Sequence, residues 1–399
     1  MQPLIIIGAG LAGYTVAREF RKLDKTAAMV IITADDGDFY SKPMLSNAFA
    51  QSKSAQQLVT QSAAKMAEQL GASIVTGTRV TRIDTAENTV VTTTGTYHYG
   101  RLVLAMGAQP IRLAFDGDAA DAVLAVNHVS DYAAFRARIA QVEPRGPARV
   151  AILGAGLIGC EFADDLAGAG HAVTLIDPNA APLSALAAPT LSRGLEAALK
   201  ARGVSMRFGT TAARIDRRDD ALQVTLASGA SFDTDVVLSA VGLRPDLDVA
   251  NGSGLTTRRG IVVDATGQTS APGVYALGDC AEYTFDADGT TRTLPYIAPL
   301  MTAARAIART LAGQPTAIDL KAAPVIVKTP SYPLALLPPP PHAAANGNWH
   351  AADDGARTVC RFYDEQDVLV GFGVAPHEAN VRTELLSALG TKRGIDIAA

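Results

Sequence analysis

Gly8-Ala9-Gly10-Leu11-Ala12-Gly13 follows the apolar run Leu4 to Ile7 and opens a stretch, Tyr14 to Leu23, whose apolar residues have helical spacing. Strand, glycine turn, then helix is the context a dinucleotide-binding turn needs. Gly8 permits the tight turn, Gly10 lets the backbone approach a pyrophosphate, and Gly13 lets helix pack on strand. The helix N-terminus then offers free N–H groups and a positive dipole end to the phosphates. The design comes twice. Gly154-Ala155-Gly156-Leu157-Ile158-Gly159 follows the run Arg149 to Leu153 and precedes a helix expected over about 158–169. Two such turns imply two dinucleotides, and two dinucleotides imply electrons passed from one to the other.

Outward from each turn the pattern continues in parallel. Strands are expected at Met29 to Thr33 and at Val173 to Ile176, with later echoing segments at Arg101 to Gly107 and Asp235 to Gly242. The fold class is therefore α/β, with two Rossmann-like dinucleotide-binding domains plus a C-terminal α+β domain. From Val274 a further strand runs to Gly278-Asp279, and a helix is expected over Leu300 to Ala312. The tail carries strand-like runs at Thr358 to Tyr363 and Val368 to Val374, with a last helix near Glu378 to Leu389. The proline run 338–341 and the stretch 343–347 read as a loop. The boundaries expected are a first domain over 1–108 and 245–320, an inserted second over 109–244, and a third over 321–399.

The chain has 399 residues, 48% hydrophobic and 19% charged, which suits several packed cores and not a disordered chain. Its net charge of −4 argues against a general nucleic-acid surface. The start Met1-Gln2-Pro3-Leu4 lacks the basic region of a signal peptide, and no apolar run approaches the roughly 20 residues of a membrane span. A soluble, cytoplasmic protein is expected. Cys160, Cys280 and Cys360 are scattered, without a Cys-x-x-Cys pair, so a redox dithiol and a zinc knuckle both lack their local signature. The histidines show no metal or catalytic spacing, and no metal is expected.

The acid that binds an adenosine ribose is expected about 20 residues past the last glycine. Asp177 meets that expectation in the second unit, directly after a strand; it would accept from a ribose 2′-hydroxyl and repel a 2′-phosphate, favouring NAD over NADP. In the first unit Asp35 comes slightly late. It either binds the ribose or belongs to a solvated turn, with the backbone of Thr33 and Ala34 as the other source of contacts. Glu161, read as lying in the first turn of its helix, either sits near a nicotinamide or simply complements the helix dipole. Gly278-Asp279 at a strand end reads as a cofactor clamp or a helix cap. Lys42 pairs with a phosphate or is an exposed loop lysine. Lys328 breaks the apolar pattern of Val325 to Val327 and needs a partner or a route to solvent.

The succession Gly8 to Gly13, Lys42 to Ser46, Leu104 to Gly107, Gly154 to Glu161, Ser239 to Pro245 and Tyr275 to Asp279 resembles the FAD-dependent pyridine nucleotide–disulfide reductase superfamily. It is most similar to the ferredoxin-reductase-like branch, which lacks the redox disulfide, and within it to the rubredoxin–NAD reductases. The resemblance covers nearly the whole chain and is weakest over 338–356. It implies FAD on the first domain, through Gly8, Ala9, Gly10, Leu11, Ala12, Gly13, Thr33, Ala34, Asp35, Lys42, Val80, Gly107, Gly278 and Asp279, with Ile297 near the ring. It implies NADH on the second, through Gly154, Gly156, Gly159, Asp177 and Gly242. Lys328 would reach the flavin and Glu161 the nicotinamide–flavin junction, making these two the catalytic candidates. One departure stands out: the loop ends Leu45-Ser46-Asn47 where relatives carry Ser-Lys, so the flavin-proximal lysine is absent or replaced by Lys328.

The implied reaction is hydride transfer from NADH to FAD, then single electrons to a small protein carrier, rubredoxin. Without a dithiol the electrons leave from the flavin itself. The alternatives are an NADH–ferredoxin reductase, a flavorubredoxin reductase, and a flavoprotein that signals its redox state without turnover.

Overall fold

The computed structural model describes residues 2–284 and 291–394. They form two compact units. Those within 1–42, 56–111 and 243–321 form the first; those within 43–55, 112–242 and 322–399 form the second.

In the first unit the strand Leu4–Ile7, wholly buried, lies inside a five-stranded parallel sheet. Met29–Ile32 flanks it on one side and Arg101–Leu104 on the other; Ser73–Val75 and Val274–Ala276 form the edges. Near-continuous apolar runs suit strands covered on both faces. Helices Leu11–Leu23 and Ile297–Leu311 pack against one another. Val80–Asp84, Thr89–Thr92 and Thr96–His98 form a separate antiparallel sheet.

The second unit repeats the order. Arg149–Leu153 lies between Ala172–Asp177 and Val236–Ser239, with Ser205–Phe208 and Val123–Leu124 at the edges, all parallel. The expected echo of the two later segments is thus a shared sheet position. Both segments end sooner than expected, at Leu104 and Ser239, three residues before the positive-φ glycines Gly107 and Gly242.

The C-terminal segment forms a five-stranded antiparallel sheet in the order 325–327, 334–337, 369–375, 358–363 and 348–353. Helix Ala379–Ser387 covers one face through Val381 and Leu385, against Ala335, Phe372 and Val374. Helix Pro189–Ala201 meets the other face. There a Cβ on Gly373 would lie 2.4 Å from Leu191 Cδ1, and one on Gly194 would lie 2.3 Å from the Tyr332 hydroxyl. A side chain at either glycine would force Leu191 or Tyr332 to move. Within the stretch expected as loop, Pro341–Ala344 is a short helix.

A charge pair ties two central strands. Asp235, 6% exposed, accepts from Arg149 N at 2.8 Å, Nε at 3.1 Å and Nη2 at 2.7 Å. Burial pushes its carboxyl up, but the Arg149 hydrogen bonds and charge outweigh burial and hold it below the ordinary carboxylate value. A depressed value means stability present above that ordinary value and lost as pH falls through the depressed one. Asp235→Asn is therefore expected to cost about 1–2 kcal/mol at pH 7, Arg149 being half exposed and screened. The difference should shrink in urea titrations as pH drops below about 4. A constant difference down to pH 3 would contradict it.

Candidate functional site

Both glycine turns use one backbone circuit. In the first, Gly8 N donates to Ile32 O and Ala105 N donates to Ile7 O, both at 2.8 Å. In the second, Gly154 N donates to Ile176 O and Ala240 N to Leu153 O, again at 2.8 Å. Gly8 and Gly154 have φ of 108° and 101°, where a side chain is strained. A Cβ there would meet Ala105 O at 2.2 Å and Ala240 O at 2.7 Å. A Cβ on Gly13 would lie 1.9 Å from Gly8 O, and one on Gly159 would lie 1.8 Å from Gly154 O. Gly10 and Gly156 differ: a Cβ on either would meet nothing within 4 Å. Both are N-caps, of helices Leu11–Leu23 and Leu157–Gly168. Open space in front of unpaired helix N–H groups is the room a pyrophosphate needs, so the residues fit a dinucleotide at each turn.

Around the first turn, Gly278 stands close, since its Cβ would lie 3.2 Å from the Ala12 Cβ. Its N–H donates to the buried Tyr283 hydroxyl at 3.1 Å, which fixes the short turn Gly278–Cys280. Asp279 in that turn is half-buried and hydrogen-bonds no described residue, leaving its carboxylate for a cofactor hydroxyl. Thr33 is buried and donates to Asp35, whose Oδ1 also accepts Gly37 N at 3.0 Å. Asp35 and Ala34 are exposed. Val80 is buried at the start of its strand, Gly107 has φ of 67° with open space at its Cβ, and Ile297 is 50% exposed as the first residue of its helix. Lys42 is half-buried and opens a 3₁₀ helix, Lys42–Asn47, instead of lying in an exposed loop.

Around the second turn, Asp177 is the last residue of its strand. Its Oδ2 accepts Ala155 N at 2.6 Å, and its Oδ1 accepts both Asn179 N and Asn179 Nδ2 at 2.8 Å. The carboxylate thus braces the glycine turn. Gly242 follows the Val236–Ser239 strand with φ of 112°.

Glu161 corrects the sequence reading. It lies in the second turn of helix Leu157–Gly168, not the first, so the dipole account does not apply. It is 2% exposed, and its Oε2 pairs with Lys328 Nζ. The same oxygen accepts the Ser46 hydroxyl at 2.5 Å, and Oε1 accepts Lys328 N at 3.0 Å. Lys328 follows the strand Val325–Val327, so its charge does not interrupt that strand. The helix carries two more buried acids. Asp164 Oδ2 accepts Ser331 N at 3.1 Å, and its Oδ1 lies 3.1 Å from Arg202 Nε. Asp165 accepts Phe49 N at 2.7 Å and Ala50 N at 3.1 Å, and burial pushes its carboxyl up. Three carboxylates on one helix thus hold the distant segments 43–55 and 328–331. Ser46, Asp164 and Asp165 were missed in sequence. The available signal was three acids in a helix otherwise almost wholly apolar.

Cys160, Cys280 and Cys360 are free and buried. Burial pushes the Cys280 and Cys360 thiols up to about 11, so they stay protonated near neutrality. Among the described residues no cluster of His, Cys, Asp or Glu is arranged to hold a metal, and no helix is long and apolar enough to cross a membrane.

Doubled glycine turns on two matching parallel sheets define a class of proteins built for two dinucleotides. The sequence profile of pyridine nucleotide-disulphide oxidoreductases matches residues 2–308, and the chain belongs to that family. Residues 317–389 match the profile of the rubredoxin binding C-terminal domain. The chain is 39% identical to the rubredoxin-NAD(+) reductase of Alcanivorax borkumensis over 96% of this chain and 98% of that one. It is 41% identical to the enzyme of the same name from Acinetobacter baylyi, covering 93% of each. It is 38% identical to the nitric oxide reductase FlRd-NAD(+) reductase of Aeromonas hydrophila, over 97% of this chain and 96% of that one. The reductase chain in the covalent putidaredoxin reductase–putidaredoxin complex shares the fold, with a TM-score of 0.87 and 23% identity over 98% of this chain and 94% of that one.

Proposed function

We propose that this chain is an NADH-dependent FAD oxidoreductase that passes electrons one at a time to rubredoxin. The observation that carries the reading is a doubled dinucleotide turn in one chain with a rubredoxin-binding sequence over 317–389. FAD is assigned to 1–108 and 245–320, NADH to 109–244, and the carrier to 321–399. When bound, FAD accepts electrons in pairs from NADH and releases them singly, which no side chain can do.

The residues supply position and charge. N–H groups at Gly10 to Gly13 and Gly156 to Gly159 hold the two pyrophosphates. Asp279 is assigned to the flavin's ribityl or ribose hydroxyls, Ile297 to the ring, and Lys42 to a phosphate; Thr33, Ala34, Asp35, Val80, Gly107 and Gly278 frame the same cofactor. Asp177, braced against Ala155 and Asn179, sets a negative charge beside the adenosine ribose and disfavours a 2′-phosphate. Gly242 borders the nicotinamide half. Lys328 holds its ammonium for the charge that develops on the flavin, and Glu161 fixes Lys328. With every thiol buried and protonated, a dithiol intermediate has no support, and electrons leave the flavin directly.

The Aeromonas hydrophila relative favours a second reading in which the rubredoxin is part of a larger flavorubredoxin. Both readings share one electrostatic consequence. Rubredoxin reduction should slow as salt rises through screening of the docking charges, while reduction of a small uncharged dye should not. Equal salt response for both acceptors would contradict docking by charge.

A further inference from the structure

We propose that Ser46 is a positioning residue for the Lys328 ammonium, acting through Glu161; this rests on the reading that gives Lys328 to the flavin. Both carboxylate oxygens of Glu161 are engaged within the protein. Its side chain is 3% exposed, Oε1 is taken by Lys328 N, and Oε2 is shared by the Ser46 hydroxyl and Lys328 Nζ. Lys328, by contrast, keeps 32% of its side chain exposed. Its ammonium has three donors. One points at Glu161 and one reaches the Ser46 oxygen at 3.4 Å. The third remains for an anionic partner, and the two-electron-reduced flavin is such a partner.

Ser46 is 2% exposed, so its hydroxyl has a fixed surrounding and a fixed direction. It donates to Glu161 and accepts from Lys328, closing a three-membered ring of contacts. Its neighbour Asn47 donates Nδ2 to Lys328 O at 2.7 Å, so one loop grips both the backbone and the side chain of the lysine. That loop is anchored by Phe49 N and Ala50 N on Asp165. Without the hydroxyl, Glu161 Oε2 has the ammonium alone, the lysine swings fully onto it, and the third donor loses its aim. The expected effect is weaker stabilisation of the reduced flavin.

The test is the midpoint potential of the flavin in holoenzyme, read spectroscopically, with flavin content and melting temperature measured alongside. Ser46→Ala should lower the potential by about 30 mV, a tenfold loss of preference for the reduced form of a two-electron couple. Ser46→Thr, which keeps a hydroxyl, should hold the wild-type value. Ser46→Ala added to Lys328→Met should change nothing beyond Lys328→Met. An unchanged potential in Ser46→Ala would overturn the proposal, as would equal falls in Ser46→Ala and Ser46→Thr. A potential unmoved by Lys328→Met would overturn both this proposal and the assignment of Lys328 to the flavin. A fall in Lys328→Met without one in Ser46→Ala would overturn this proposal alone.

Discussion

Gly13→Ala is expected to emerge from purification without flavin. The new Cβ would lie 1.9 Å from Gly8 O and 3.3 Å from Ile6 Cγ2. The carbonyl cannot retreat, because Gly8 is itself fixed by φ of 108° and by its approach to Ala105 O. Forcing a methyl into such a contact costs about 1–3 kcal/mol or more. The helix lifts from the strand, and its N–H groups no longer converge on one phosphate. Gly10→Ala is the control. Its Cβ meets no protein atom, so flavin-free protein should melt as the flavin-free wild type does, yet the methyl fills the space in front of the helix. Both variants should lose the visible flavin absorbance; only Gly13→Ala should also lose stability. Full flavin retention by Gly10→Ala would show that this turn is not the phosphate cradle.

Lys328→Met is the second variant with a large effect. It leaves Glu161, 3% exposed, with a charge and no cation. Removing one partner of a buried pair costs about 3–5 kcal/mol, and the exposure of Lys328 puts this case near the lower end. Adding Glu161→Gln should return most of the stability, because an amide needs no counter-charge. It should not return turnover, which is expected to fall about a hundredfold in both, the size seen when one charge-stabilising donor is removed. Urea titrations and NADH-driven flavin reduction separate the two effects. Recovery of turnover in the double variant would remove Lys328 from the reaction.

Much of the fold was legible because it is local. The two fingerprints carry their own strand and helix context, and the strands before them lie where the apolar runs put them, at Leu4–Ile7 and Arg149–Leu153. The need for Gly8 and Gly154 was legible in kind, but its cause was not: each abuts the carbonyl of an alanine far along the chain, Ala105 or Ala240. The ring of Ser46, Glu161 and Lys328 joins segments separated by 115 and 167 residues, and no periodicity records such a meeting. The sequence showed that Lys328 needed a partner and that Glu161 was an acid after a glycine turn, without linking them. Among the contacts that join 43–55 to the rest of the second unit, Asp165 accepts two backbone N–H groups, a contact with no local trace.

The central claim is that electrons leave this flavoprotein for rubredoxin. The direct measurement is steady-state NADH oxidation by the holoenzyme with rubredoxin, ferredoxin and flavodoxin as alternative acceptors at one low salt concentration. Rubredoxin is predicted to accelerate NADH consumption well above either competitor, with its own reduction matching two molecules per NADH. If NADH bleaches the flavin but no iron protein speeds its reoxidation, the account is contradicted.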